Sequence, residues 1–166
     1  MGLDMNLYRE THVIEKGGKP SKIRPERVYA ITEEIKWEIT TLKGGKPSKI
    51  RPERVYAITE EIAYWRKFNA LHAFIVNNFA EGKDECQIIY LYDDELQKIH
   101  DTLKKIHESK NDSLALELMP PSEGFFFGSY EIDEWYWKNV ENAYKVFSEI
   151  LSDGEENREY YYQASW

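Results

Sequence analysis

Residues 51–83 read RPERVYAITEEIAYWRKFNALHAFIVNNFAEGK, with the only proline at the second position and the only glycine next to the end. Along this stretch apolar residues and one histidine recur at intervals of three and four, which is typical of one face of a helix. Those positions are Val55, Ile58, Ile62, Trp65, Phe68, His72, Ile75 and Phe79. Pro52 suits a first helical turn, where its missing N–H costs nothing. The pattern predicts one long helix over about residues 52–80 as the centre of the fold.

Part of this stretch belongs to an internal repeat. The sequence KGGKPSKIRPERVYAITEEI covers residues 16–35 and again residues 43–62, without a single difference. A repeat architecture needs at least about three units, so an identical pair indicates a tandem duplication inside one domain of 166 residues. We assign the position in the fold to the second copy, because it continues directly into Trp65.

The first copy then needs another place to bury its apolar residues. We predict that it forms a short helix at about residues 25–35 and packs against the same element of a second chain. The duplication therefore predicts a homodimer.

The remainder of the chain predicts a small, mostly antiparallel sheet, because several segments are alternating, β-branched or aromatic. These segments are Leu3–Tyr8, Trp37–Leu42, Cys86–Tyr92, Phe125–Gly128 and Tyr160–Ser165. Residues 113–119 fit either a short helix or a strand.

Two more helices follow from apolar spacing. The first is capped by Asp93 or Asp94 and carries Leu96, Ile99, Leu103 and Ile106 on one face. The second runs from about Asp133 to Ser152 and carries Tyr136, Val140, Ala143, Phe147 and Ile150. The predicted fold is therefore α+β, with three main helices packed on the sheet.

Charge is distributed unevenly along the chain, whose net charge is −8. Residues 16–67 are basic, whereas residues 111–166 carry a large excess of Asp and Glu. An acidic C-terminal third disfavours general nucleic-acid binding and favours a basic partner surface. The apolar runs are too short to cross a membrane and the N-terminus lacks the pattern of a signal peptide, so we expect a cytoplasmic protein.

No motif for catalysis, for a metal or for a cofactor is present. The GGKPS turns lack the glycine spacing and the Ser or Thr after Lys that a phosphate loop requires. As basic turns they could contact a phosphate, although a solvated turn is the simpler interpretation. Their cations are Lys19, Lys22, Arg24, Lys46, Lys49 and Arg51. The sequence favours a protein that is not an enzyme.

Aromatic and acidic residues supply the candidate binding positions. They are Trp65, His72, Phe125, Phe127, Trp135, Trp137, Asp133 and Glu134. His72 is either a functional residue or a core histidine bonded to Asn69, one helical turn away. Asp133 and Glu134 either border a pocket with the two tryptophans or simply occupy the first turn of a helix.

Four segments together resemble a family of small proteins encoded by bacteriophages and prophages. They are GLDMNLYRETHV, KGGKPSKIRPERVYAITEEIAYWRKFNALHAF, MPPSEGFFFGSYEIDEWYW and YYYQASW. In that family a tyrosine usually stands in place of Asn6, and the basic turn and helix occur once. The resemblance implies a viral accessory protein acting in the cytoplasm of a host bacterium.

Two functions follow as expectations. The first is a non-enzymatic phage protein that binds a host bacterial protein, for example as an inhibitor of an anti-phage defence protein such as a CRISPR nuclease. The second is a binding protein, or sponge, for a nucleotide, which would stack the base on an aromatic ring and hold phosphate with a basic turn.

Overall fold

The structure, a computed structural model, describes residues 2–12, 57–122, 131–154 and 158–166. These residues form four strands and four helices, which confirms the α+β class. In chain order the elements are β1 (Asp4–His12), β2 (Ala57–Arg66), α1 (Asn69–Phe79), β3 (Ile89–Leu91), α2 (Asp93–Ser109), α3 (Asp112–Leu118), α4 (Glu134–Ser152) and β4 (Arg158–Ser165).

The chain divides into two compact units. The first contains Met1–Arg9, Glu60–Gly154 and Glu159–Trp166, and the second contains Glu10–Thr59 and Glu155–Arg158. In the second unit the Thr59 hydroxyl donates to Glu10 Oε2 at 3.4 Å. The core and the candidate site belong to the first unit, and the single-domain interpretation stays a prediction.

The prediction of one long helix over residues 52–80 is wrong. Residues 57–66 form strand β2, Lys67 has a left-handed φ of 59°, and helix α1 begins only at Asn69. A left-handed residue cannot continue a right-handed helix, so Lys67 separates the two elements. The β-branched and aromatic residues of 57–66 favour a strand once β1 offers backbone partners, and this pairing overrides the helical spacing.

The four strands form one antiparallel sheet in the order β2-β1-β4-β3. Strands β1 and β4 confirm the segments predicted at Leu3–Tyr8 and Tyr160–Ser165. The predicted strand Cys86–Tyr92 shortens to three residues, because Cys86 has a left-handed φ of 56°. The strands predicted at 37–42 and 125–128, and the helix at 25–35, lie outside the described residues.

The helices confirm the predicted apolar stripes. All four stripe residues of α2 and all five of α4 are buried, and the two helices pack on each other. Residues 113–119, which fitted either a short helix or a strand, lie mostly in the short helix α3 (Asp112–Leu118). Strands β1 and β4 add Met5, Leu7, Tyr162 and Ala164 to the same core, and Leu3 joins it from just before β1.

Within the described ranges, no helix is both long enough and apolar enough to cross a membrane.

Candidate functional site

Trp65 lies in the core and is only 2% exposed. Its indole N–H donates to Asn142 Oδ1 at 2.7 Å, and its ring is parallel to Phe147 with centroids 6.3 Å apart. The ring therefore anchors β2 against α4 and presents no face to a ligand.

Asp133 is the N-cap of α4, since its Oδ1 accepts the Tyr136 backbone N–H at 2.8 Å. Glu134 is exposed in the first turn. Of the two interpretations of these carboxylates, the structure therefore supports the first turn of a helix, where negative charge is favourable.

Trp135 and Trp137 point to different sides of α4, because residues two apart on a helix do not face each other. Trp135 is half-exposed, and the Nζ atom of Lys138 lies 5.6 Å from the centre of its ring. The ring of Trp137 has a different cation beside it, since Lys110 Nζ lies 5.5 Å from its centre. The structure does not bring the two rings together. Phe125, Phe127 and the basic turns (Lys19, Lys22, Arg24, Lys46, Lys49 and Arg51) lie outside the described residues.

His72 lies at the centre of a buried polar network. Its Nδ1 is 2.8 Å from the Tyr162 hydroxyl, and its Nε2 is 3.0 Å from Asp84 Oδ2. A carboxylate accepts, so a neutral His72 donates from Nε2 and accepts at Nδ1 from the tyrosine. The Asn69 amide, one helical turn earlier, donates to the Ser122 carbonyl at 3.1 Å.

This network has the carboxylate–histidine–hydroxyl order of a hydrolase triad, but its hydroxyl is closed to substrate. Tyr162 is only 1% exposed. Burial, together with the negative charge of Asp84, raises the pKa of the Tyr162 phenol well above its ordinary value. The phenol therefore stays protonated at neutral pH, and the network joins α1 to β4 rather than activating a nucleophile.

A second site lies at β3, which is an edge strand of the sheet in the described part of the chain. Ile88, Tyr90 and Tyr92 are 48%, 52% and 69% exposed. The alternate residues Ile89 and Leu91 are buried. We call the three outward residues the tyrosine edge.

The tyrosine edge continues across the sheet face that points away from the core. The Tyr90 and Tyr161 rings have centroids 6.0 Å apart, and Tyr161 stacks on Tyr8 at 5.0 Å. Tyrosines of β3, β4 and β1 thus lie side by side. Flat rings with a polar end bind partners at low entropic cost, which makes this row suitable for recognition.

A cleft of about 320 Å³ opens beside the tyrosine edge. Its lining residues are Phe79, Ala80, Glu81, Lys83, Gln87, Ile88, Ile89 and Tyr90. The Gln87 side chain holds the loop at one wall, because its Oε1 accepts the Glu85 N–H at 2.7 Å. This volume is at the lower end of the range for small-ligand pockets.

Acidic residues surround the tyrosine edge. The chain from 81 to 95 has Lys83 as its only cation, and Lys83 pairs with Glu81 at 3.1 Å. The acidic residues there are Glu81, Asp84, Glu85, Asp93, Asp94 and Glu95. The edge therefore combines exposed apolar area with negative charge.

Sequence reasoning missed this site because it predicts the segment CQIIYLY as a strand of the sheet without assigning an exposed side to it. Its alternation is the signal that could have found it, since Ile88, Tyr90 and Tyr92 share one side of an extended chain. The acidic residues at both ends mark the same segment as lying at the surface.

No protein-family model, curated protein or solved structure matches this chain. The resemblance to phage proteins therefore stays a prediction.

Proposed function

We propose that the protein is a non-enzymatic binding protein that recognises a basic partner protein through the tyrosine edge. The observation that carries this proposal is the exposure of Tyr90 on β3, an edge strand among the described residues, and of Ile88 and Tyr92 directly beside that strand. A run of exposed apolar side chains at a sheet edge is costly in water and marks a surface for interaction.

Charge defines the kind of partner. The carboxylates of Glu85, Asp93 and Asp94 are exposed beside the tyrosines and would attract a basic surface while repelling an acidic one. Proteins that bind nucleic acids carry such basic surfaces. An acidic aromatic edge could occupy the same surface and block it.

The resemblance to phage proteins supports a specific form of this function. We place the protein among viral accessory proteins of the bacterial cytoplasm, with a host or anti-phage defence protein such as a CRISPR nuclease as its target. The buried state of Trp65 leaves the nucleotide-binding alternative without that stacking residue.

The test is capture of a partner from a lysate of the bacterial host by the immobilised protein. Tyr90→Ser with Tyr92→Ser should weaken binding of the captured protein at least about tenfold, as expected for central aromatic residues of an interface. Raising the salt concentration should weaken it further.

Trp135→Ser is the matched control, because Trp135 is as exposed as Tyr90 but lies on α4. It should leave capture unchanged. Capture that survives the loss of both tyrosines, or a captured protein with an acidic contact surface, would show that the proposed site is wrong.

A further inference from the structure

We propose that the tyrosine edge binds an extended, basic peptide segment as an additional strand beside β3. This inference rests on the proposed function and specifies how the partner is held. The occupant is a stretch of a partner protein in which cationic and apolar residues alternate.

The position of β3 supplies the first argument. An edge strand has a neighbour on one side and presents backbone N–H and C=O groups on the other. Among the residues that the structure describes, the neighbour of β3 is β4, with Tyr90 opposite Tyr161. An extended peptide can therefore pair along the opposite side of β3, as in the known cases of strand addition.

The composition of β3 supplies the second argument. Proteins protect an edge strand with a charge or a proline on the strand, with a bulge, or by keeping the strand very short. Residues 88–92 read IIYLY and contain neither a charge nor a proline. The short length of β3 limits pairing to a short segment of the partner.

The cleft supplies the third argument. Phe79 and Ile89 provide apolar walls next to the strand, so an apolar side chain of the added peptide can enter there. Lys98 Nζ lies 5.6 Å from the Phe79 ring and donates to Asn78 Oδ1 at 2.7 Å, which directs this cation toward α1. Alternate side chains of the peptide would then face solvent and the acidic residues.

Charge complementarity selects this occupant over a second copy of the chain. Pairing two β3 edges would bring the exposed carboxylates of Glu85, Asp93 and Asp94 close to their own copies. Like charges at such a contact oppose association. The cations of a basic segment are instead attracted to the same carboxylates.

The probes are two synthetic peptides of about six residues, the usual strand length, one alternating lysine with valine and one alternating glutamate with valine. Binding is measured by fluorescence anisotropy with the full chain. The lysine peptide should bind, with an affinity that falls as salt is added, and the glutamate peptide should bind at least about tenfold more weakly.

Backbone pairing is tested by N-methylation of the lysine peptide at alternate amides. In a paired strand successive N–H groups point to opposite sides, so one methylated set should lose about tenfold or more in affinity and the other set much less. Binding through side chains alone predicts no such alternation.

Tyr90→Lys is the protein variant, because a lysine at the centre of β3 repels the cationic peptide. Tyr64→Lys is its control, since Tyr64 is 49% exposed on β2, the opposite edge of the sheet. Circular dichroism of both variants verifies the fold. Only Tyr90→Lys should weaken peptide binding.

The outcomes separate this inference from the proposed function. If partner capture depends on the tyrosines but the two methylated peptides bind alike, strand addition is wrong and the binding function stands. If neither capture nor peptide binding depends on them, both are wrong. A dimer that Tyr90→Lys dissociates would identify a second copy as the occupant and overturn the basic peptide.

Discussion

His72 is a buried histidine with a hydrogen-bond partner at each ring nitrogen. The partners are separated from it by 90 residues for Tyr162 and by 12 residues for Asp84. Sequence spacing on the helix indicates a buried or functional histidine but not these partners, because Tyr162 lies on β4 and Asp84 lies in the loop after α1. The network therefore belongs to tertiary structure.

Replacing His72 tests what the network contributes to stability. His72→Leu should lower the free energy of unfolding by about 1–3 kcal/mol, because the buried Tyr162 hydroxyl loses this partner. Tyr162→Phe should cost about 1 kcal/mol. The measurement is urea denaturation of both variants and of the double variant.

The double variant is the control. When both partners become apolar, no polar group of this pair is left unpaired. The decrease in the free energy of unfolding of the double variant should therefore be smaller than the sum of the decreases in the two single variants. Additive losses would show that the two side chains do not interact.

The Tyr162 phenol also predicts a response to alkaline pH. Burial and then the Asp84 charge raise the pKa of Tyr162 in the folded protein, and burial raises the pKa of Tyr136. The folded state thus holds these protons more tightly than the unfolded chain, whose tyrosines titrate near pH 10. The resulting stability is complete below about pH 10 and is lost as the pH rises through the folded pKa values.

We expect the free energy of unfolding to fall above about pH 10, and Tyr162→Phe to reduce the slope by up to about 1.4 kcal/mol per pH unit. Urea denaturation at a series of alkaline pH values measures the slope. Tyr92→Phe is the matched control at an exposed tyrosine. A slope that Tyr162→Phe leaves unchanged would contradict this account.

At the scale of elements, residues 57–79 show why the spacing of apolar residues alone does not distinguish a long helix from a strand followed by a helix. Ile62, Trp65, Phe68 and His72 fit a helical stripe, yet a strand and a helix place all four against or inside the core. The two arrangements bury similar residues, and only the pairing of β2 with β1 distinguishes them. By contrast α2 and α4 were predictable, because each apolar stripe is long and has polar residues at its start.

Lys67 allows the break between β2 and α1 to be tested. A non-glycine residue in the left-handed region is strained, whereas glycine adopts this conformation without a steric cost. Lys67→Gly should therefore raise the free energy of unfolding by about 0.5–1 kcal/mol, measured by thermal denaturation. Arg66→Gly, one residue earlier in the strand, should lower it. Equal destabilisation by both would contradict the assigned conformation.

At the scale of the whole molecule, the chain divides into two units that contain different parts of the sequence. The second unit contains the first repeat copy and most of the second copy, whereas the candidate site and core lie in the first unit. The sequence thus predicted the α+β core without locating the tyrosine edge, because the edge position of β3 follows from the strand order.

Deleting residues 16–42 removes 27 residues, including the first repeat copy, and leaves every described element in place. We expect the shortened chain to keep its circular dichroism spectrum and to be monomeric, and the full chain to be dimeric, because the extra copy provides the predicted contact. Light scattering at matched concentrations measures the mass of each. Equal oligomeric states would show that the duplication does not cause association.

The composition of β2 has a consequence for synthesis on the ribosome. Its residues 57–62 also occur as residues 30–35, whereas Trp65 is unique and has Glu38 at the corresponding place of the first copy. At about 5–20 residues per second, the first copy emerges roughly 1–5 s before the second. We expect a nascent chain to pair β1 with the first copy and to exchange it once Trp65 can be buried.

Ribosome-arrested chains can reveal this exchange by hydrogen exchange of the β1 amides. Protection should be present in chains long enough for the first copy, but not Trp65, to have left the exit tunnel, and it should increase once Trp65 has also left it. Unprotected β1 amides in the shorter chains would contradict the exchange. The order of translation would then set the order of folding. Burial of the Trp65 indole ring would shift β1 from its early pairing with the first copy to its final pairing with β2.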